Sequence, residues 1–287
     1  MRMGWIGAAG SLSTIIEIDT VTEQLDLDVL LAGVTQPTEV VIINNSTIGS
    51  LTPTEPAVLF QAQHVDTTIK LINNGTIIGR GGYGGTGANV YCNSSGCGAG
   101  FSGGIGGDAI ETFHPVVEIE NNGMIGGGGG GGNQGGGSTD GAGTYGDDGF
   151  AGGGGGSGAG YGSRSGAPGG VAYLCTNSNF NGTSGGTGTP SGGGAGGLGC
   201  GGGADGGNGG TSSVAATNGQ SAFLCGGGGG GGWLGAEGGR GGLPSIASGY
   251  ICKTTYVAPA LAGGKAVETN GNTIIWLATG TRYGSFA

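Results

Sequence analysis

Two stretches of seven consecutive glycines, Gly126–Gly132 and Gly226–Gly232, constrain this chain more than any other feature. Glycine loses more backbone entropy on ordering than any other residue, and it weakens a helix interior by about 1 kcal/mol relative to alanine. With 81 glycines among 287 residues, the middle of the chain cannot be an α-helical core. Flexible linkers and low-complexity tracts are also glycine-rich, but they come with serine, proline, glutamine or charge. Here the runs are punctuated by Tyr, Phe, Trp, Leu and Cys, proline is scarce at 8, and 35% of the chain is hydrophobic. Polyproline-II geometry keeps such runs ordered. At three residues per turn and about 3.1 Å per residue, a seven-residue run spans roughly 22 Å with its backbone groups pointing outwards. Packed side by side, helices that lack Cβ atoms approach closely and exchange N–H···O=C bonds in several directions.

A second pattern recurs. Val40-Val41-Ile42-Ile43-Asn44-Asn45-Ser46-Thr47-Ile48-Gly49 is echoed at Ile69–Gly79 and Val116–Gly126, and more loosely at Ala266–Ile275. Each copy reads as a β-branched strand, an Asn-rich turn tolerant of positive φ, and a second short strand. Strands this short bury a face only by sharing a core, as stacked coils or paired hairpins. The expected fold is therefore mostly irregular and β, with short strand repeats leading into a bundle, or sandwich, of glycine-rich polyproline-II-type helices and almost no α-helix. The expected divisions are an N-terminal region 1–39, a β-repeat region 40–78, a glycine-rich bundle 79–264 and a C-terminal strand segment 265–287 packing on the bundle.

Between the glycine runs lie long segments, Asn89–Phe101, Ser138–Phe150, Val171–Ser184, Thr211–Leu224 and Leu243–Val257. Short ones lie near Tyr161–Ser165, at Cys200 and at Trp233–Glu237. From Ser138 onwards long and short alternate. If each run crosses the bundle once, the long segments gather at one end, a scaffold that presents loops. The loops are rich in aromatic and small polar residues, as are antibody recognition loops. Tyr91, Phe101, Tyr145, Phe150, Tyr173, Phe180, Phe223, Tyr250 and Tyr256 are the candidate contact residues. For each of them, packing of the loop on itself is the competing role.

This layout resembles the distal long-tail-fibre adhesins of T-even-type phages, in which glycine-rich motifs are separated by variable segments. The resemblance covers mainly Gly79–Gly264 and rests on architecture. Gly4-Trp5-Ile6-Gly7 is similar to a Gly-Trp-Ile-Gly near the start of such adhesins. The resemblance implies a polyglycine-II sandwich whose distal loops read a bacterial outer-membrane protein or surface glycan. It also implies an N-terminal region, with Trp5 and Ile6, that docks on the tail-fibre shaft protein as a monomeric cap in the virion. The Asn-Asn repeats, the six cysteines and residues 8–39 have no counterpart in that pattern.

Other chemistry finds little support. A formal charge of −10 with 8 Lys and Arg argues against a nucleic-acid partner. No stretch approaches the ~20 apolar residues that span a bilayer, so the chain is not expected to be membrane-embedded. The N-terminus lacks a signal peptide's charged and apolar regions, which points to synthesis in a cytoplasm. Cys92, Cys97, Cys175, Cys200, Cys225 and Cys252 carry no C-x-x-C spacing, and both disulfides and buried thiols fit them. Gly-x-Gly-x-x-Gly matches abound, but no helix follows them, and Gly263-Gly264-Lys265 ends in Ala266 rather than Ser or Thr, so no nucleotide site is expected. Gly103–Glu111 fits a calcium repeat that stands alone. His64 and His114 have no zinc-ligand spacing. No cofactor and no catalysis are expected. Two other readings remain: a structural or ice-binding glycine-helix protein, and a polysaccharide depolymerase using Asp140, Asp147 or Asp148.

Overall fold

The computed structural model describes residues 2–8, 11–32, 39–91, 98, 100–139, 148–173, 179–200, 203–245, 252–254 and 257–287. They divide into two compact units. One comprises 1–80, 107–127 and 264–287, the other 81–106 and 128–263.

The first unit is a stack of parallel coils. Each coil before the last gives one strand to each of three sheets. Glu39–Asn44, Thr47–Gly49 and Val58–Phe60 form one coil. Thr68–Asn73, Thr76–Ile78 and Ile110–Thr112 form the next, and Val116–Asn121, Met124–Gly126 and Val267–Glu268 the one after. The repeats are therefore stacked coils and not hairpins: Val40 pairs with Ile69 and Ile69 with Val117, all in parallel register. Alternation directs Val40, Ile42, Ile69, Leu71, Val117 and Ile119 into one apolar core, where each is fully buried beside Ile48, Ile77 and Ile125. At roughly 25 cal/mol per Å² of apolar surface, columns of Ile, Val and Leu are the main favourable contribution of the coils. The last coil, Thr273–Ala278 and Thr281–Tyr283, closes the stack with the Arg282 guanidinium over both the Trp276 and Phe286 rings, 4.7 and 4.4 Å from their centroids.

The Asn-Asn pairs of the repeats form two ladders. Inside, Asn44 Nδ2 donates to Asn73 Oδ1 at 2.7 Å and Asn73 Nδ2 to Asn121 Oδ1 at 2.7 Å. All three residues are fully buried. Outside, Asn122 donates to Asn74, Asn74 to Asn45, and Asn45 to Asp19. Identical carboxamides at one turn position thus satisfy each other coil by coil, which is why the motif keeps two asparagines.

Near the C-terminal coils, the Lys265 N–H donates to Asp108 Oδ1. Burial pushes the Asp108 carboxyl above its ordinary value. The neighbouring Glu268 and Glu111 push the same way, against the Lys265 amide and ammonium. An acid raised in the folded state holds its proton more tightly there than in the unfolded chain. Its stabilising contribution is complete below the unfolded value of 3.8 and is lost as pH rises through the folded value. Asp108→Asn keeps an acceptor for the Lys265 N–H without the buried charge. It is expected to raise the unfolding temperature near neutral pH, with the difference from wild type closing below pH 3.8; thermal unfolding followed across that range checks this.

The second unit is built from the glycine runs. In Gly226–Gly232 the seven amides donate in rotation to three neighbours: Gly226, Gly229 and Gly232 to Gly136, Asn133 and Gly130; Gly227 and Gly230 to Gln220 and Thr217; Gly228 and Gly231 to Gly197 and Gly194. The carbonyls rotate through three more, accepting from Gly153, Gly156 and Ala159, from Gly242 and Gly239, and from Gly207 and Gly210. Every N–H and C=O of this run is thereby paired with one of six surrounding runs, and a buried backbone needs that. Gly82, Gly85 and Ala88 likewise donate to Gly129, Gly132 and Gly135, a parallel pairing stepped by three residues.

At the margins, side chains take over. Thr183, Thr217 and Asn218 accept from the backbone N–H groups of Leu198, Asn208 and Arg240 at 2.7–2.8 Å. Non-glycine residues recur every third position on outer runs, exposed at Asp205, Asn208 and Thr211 and at Glu237 and Arg240. Cβ atoms are tolerated there because that side of the run faces solvent.

Candidate functional site

Run directions fix the two ends of the second unit. The pairings of Gly152, Gly155 and Gly158 with Ala88, Gly85 and Gly82 are antiparallel, and those of Gly130, Asn133 and Gly136 with Ala236, Gly239 and Gly242 are parallel. Followed through the bundle, these directions bring residues 89–91, 138–139, 149–150, 171–173, 179–180, 199–200, 222–225 and 252–254 to one end. Residues 161–165, 189–192, 211–214 and 233–236 lie at the other.

Thr211–Leu224 is therefore not one long connection. Residues 215–221 cross the bundle as a run of their own, with the N–H groups of Thr217, Gly219 and Gln220 donating to Asn208, Arg240 and Asp205. With one glycine in seven residues, this run gives no glycine signal. It lies at the surface, where its side chains have room. The short Cys200 turn, for its part, sits at the same end as the long segments.

At that first end the runs emerge into two small sheets. Val90–Tyr91 pairs with Ala172–Tyr173, and a second sheet runs in the order Asn179–Phe180, Gly149–Phe150, Ser138–Thr139, Cys252–Lys253. Connections that are distant in sequence thus leave the bundle from a shared hydrogen-bonded base.

The candidate aromatics are placed unequally. Phe101 is 76% exposed, Phe223 58% and Phe180 39%, whereas Phe150 is only 8% exposed. Tyr91 is half-buried on its strand. Tyr173 lies on a strand whose backbone alone is described, and Tyr145, Tyr250 and Tyr256 lie outside the described residues. The Phe150 and Phe180 rings stack, 5.0 Å between centroids and 4° from coplanar. Phe150 packs with Ala204 and Cys225, and Cys225 is bridged to Cys200 by a disulfide. Residue spacing carries no signal for that pairing.

Trp5 and Ile6 fall on the strand Arg2–Ala8, opposite Thr14 and Ser13 of Ser11–Ile18. A cleft of about 270 Å³ in the first unit is lined by Asp66, His114 and Glu118 among others. The Nδ1 of His114 there lies 2.7 Å from the Val116 carbonyl oxygen, which fixes the ring to its own turn. Among the described residues, no group of three or more His, Cys, Asp or Glu is placed to hold a metal ion, and no helix is long and apolar enough to cross a membrane. Asp140 and Asp147 lie outside the described residues, and Asp148 immediately precedes the strand Gly149–Phe150.

The family model of the phage tail fibre adhesin Gp38 matches residues 13–287. The chain belongs to this family of phage tail fibre adhesins. A chain in the crystal structure of the gp37-gp38 adhesin tip complex of the bacteriophage S16 long tail fiber is similar at 23% identity and a TM-score of 0.49, over 95% of this chain and 82% of that one. Comparison with curated proteins gives no match. The matched span takes in both units of the adhesin: the coils from Ser13 onwards, the whole glycine-run unit and the closing coil at Thr273–Tyr283.

Proposed function

We propose that this adhesin is the non-enzymatic host-recognition tip of a tail fibre in the virion. Its glycine runs are polyglycine-II helices packed as a bundle, and the connections at the bundle's first end read a bacterial outer-membrane protein or surface glycan. The observation that carries the reading is the three-residue rotation of backbone hydrogen bonds through Gly226–Gly232. It supports a helix of three residues per turn, rigid without a side-chain core. A rigid base suits recognition, because loops held in place lose less freedom on binding. Phe101, Phe180 and Phe223 are the exposed contacts of that end, and the coil unit, with Trp5 and Ile6, attaches to the fibre shaft protein.

The test is binding of fluorescently labelled, purified adhesin to intact Gram-negative cells and to strains lacking single outer-membrane proteins or surface glycans. Saturable binding that one deletion removes is the expected result. Binding to no strain, or release of sugar from the cells, would move the assignment to a structural protein or to a depolymerase.

A further inference from the structure

Cys200 and Cys225, 25 residues apart in sequence with Cα atoms 6.0 Å apart, tie two turns at the first end of the bundle. Cys225 is fully buried, and the bridge packs with Ala204, Ala222 and Leu224 around Phe150. Phe150 stacks on Phe180, its register partner on the neighbouring parallel strand. Phe223, on the tied turn itself, is exposed. The bridge, the buried Phe150 ring and the more exposed Phe180 ring thus form one column from the bundle to the surface, with Phe223 next to Leu224 on the tied turn. Cys200 also sits at φ 39°, a left-handed conformation that a residue with a Cβ adopts at a cost. Backbone bonds from Gly199 to Ala204, Gly203 to Gly199 and Cys200 to Ala151 shape this turn, and the bridge to Cys225 adds a covalent tie to it.

We propose that this column is the positioning element of the recognition end, and that the end becomes fully competent only when Cys200 and Cys225 are oxidised. The inference rests on the adhesin reading above. Phe150 and the bridge act through Phe180 and Phe223, setting where those rings stand, and do not touch the receptor themselves. Thiols stay reduced in a bacterial cytoplasm, and disulfides persist outside it, so the bridge forms after release. The oxidant is a low-molecular-weight disulfide. The thiolate of one cysteine attacks one of its sulfurs, expelling a small thiolate and leaving a mixed disulfide. The thiolate of the second cysteine then attacks the protein sulfur of that mixed disulfide and expels the second small thiolate. The two protons lost by the cysteines pass through solvent to the two released thiolates.

The experiment compares five forms of the full chain on a strain bound by the oxidised protein: oxidised wild type, wild type reduced with dithiothreitol, the double variant Cys200→Ser/Cys225→Ser, Phe150→Leu and Phe150→Tyr. Hydrogen exchange at Gly226–Gly232 reports in parallel on the bundle. Reduction, the double variant and Phe150→Leu are each expected to weaken binding about tenfold or more, the loss typical of a displaced anchor residue. Phe150→Tyr keeps the stack and the binding, and glutathione disulfide restores the reduced wild type but not the double variant, with bundle protection equal throughout. Equal binding by oxidised wild type and a double variant whose bundle stays protected overturns the proposal. Loss of bundle protection in the double variant assigns the bridge to folding alone and also overturns it. If the oxidised wild type binds no strain, the host-recognition reading itself falls, and the positioning role of the column falls with it.

Discussion

Gly229→Val is expected to abolish folding of the glycine-run unit. Gly229 donates to Asn133 at 2.8 Å and accepts from Gly156 at 3.0 Å, and a Cβ built on it would run into the Gly239 carbonyl oxygen. That carbonyl cannot swing aside without breaking two bonds of its own peptide unit: it accepts from the Asn133 N–H at 2.9 Å, and the Arg240 N–H donates to Asn218 Oδ1 at 2.8 Å. Overpacking costs about 1–3 kcal/mol on its own, and each broken hydrogen bond in a buried position adds about 1 kcal/mol or more. The sum, about 4 kcal/mol or more, is exceptional for one residue. Gly129→Val is expected to behave alike, since its Cβ would meet the Gly232 and Trp233 carbonyls. The control is Gly192→Ala, whose added Cβ meets nothing nearer than the Gly210 oxygen at 3.5 Å; its stability should stay within about 0.5 kcal/mol of wild type. Urea unfolding of the variants checks all three. A soluble, fully stable Gly229→Val protein would contradict close packing of the runs.

Asn73→Ala is expected to destabilise the coil unit by about 3 kcal/mol. The carboxamide of Asn73 accepts from Asn44 and donates to Asn121 and to the Met124 carbonyl. Its removal leaves Asn44 and Asn121 fully buried with groups unpaired, at about 1–3 kcal/mol for each unsatisfied atom. Asn74→Ala, one residue along on the exposed ladder, serves as the contrast and should cost about 0.5 kcal/mol or less. Thermal unfolding of the two variants, with hydrogen exchange at Glu39–Asn44 and Val116–Asn121, measures the difference.

Much of this was legible in the sequence because both units repeat. The strand-Asn-Asn-strand motif marks the coils, and seven glycines in a row leave only a geometry that needs no Cβ. What escapes the sequence is nesting. The glycine runs are inserted twice between the second and third strands of a coil, after Ile78 and after Gly126, so the coil resumes at Ile110 and at Val267. No regular period survives such insertions. The loose fourth repeat is also displaced. Val267–Glu268 finishes one coil, and the true counterparts of Val116–Asn121 and Met124–Gly126 are Thr273–Ala278 and Thr281–Tyr283. There Thr279 takes the place of the first, inner asparagine opposite Asn121, and its carbonyl, not a side chain, receives Asn121. Between the two, Asn270 and Gly271 take φ 50° and 81°, so this Asn-Gly turns the chain from one sheet to another. Phe150 shows the limit for the site. Its neighbours give it a loop aromatic's appearance, while its burial comes from a cysteine pair that spacing does not reveal.

A rigid bundle that presents recognition segments at one end is tested most directly by exchanging those segments between family members. Residues 138–150 and 222–225 are replaced by the equivalents of an adhesin with a different host, and in a parallel chimera residues 161–165 and 233–236 are replaced instead. Cell binding and hydrogen exchange at Gly226–Gly232 are measured on both. The expected result is that host preference follows the first exchange and not the second, with the glycine amides equally protected in each. Host preference that follows the second exchange, or loss of protection on every exchange at the first end, would contradict it.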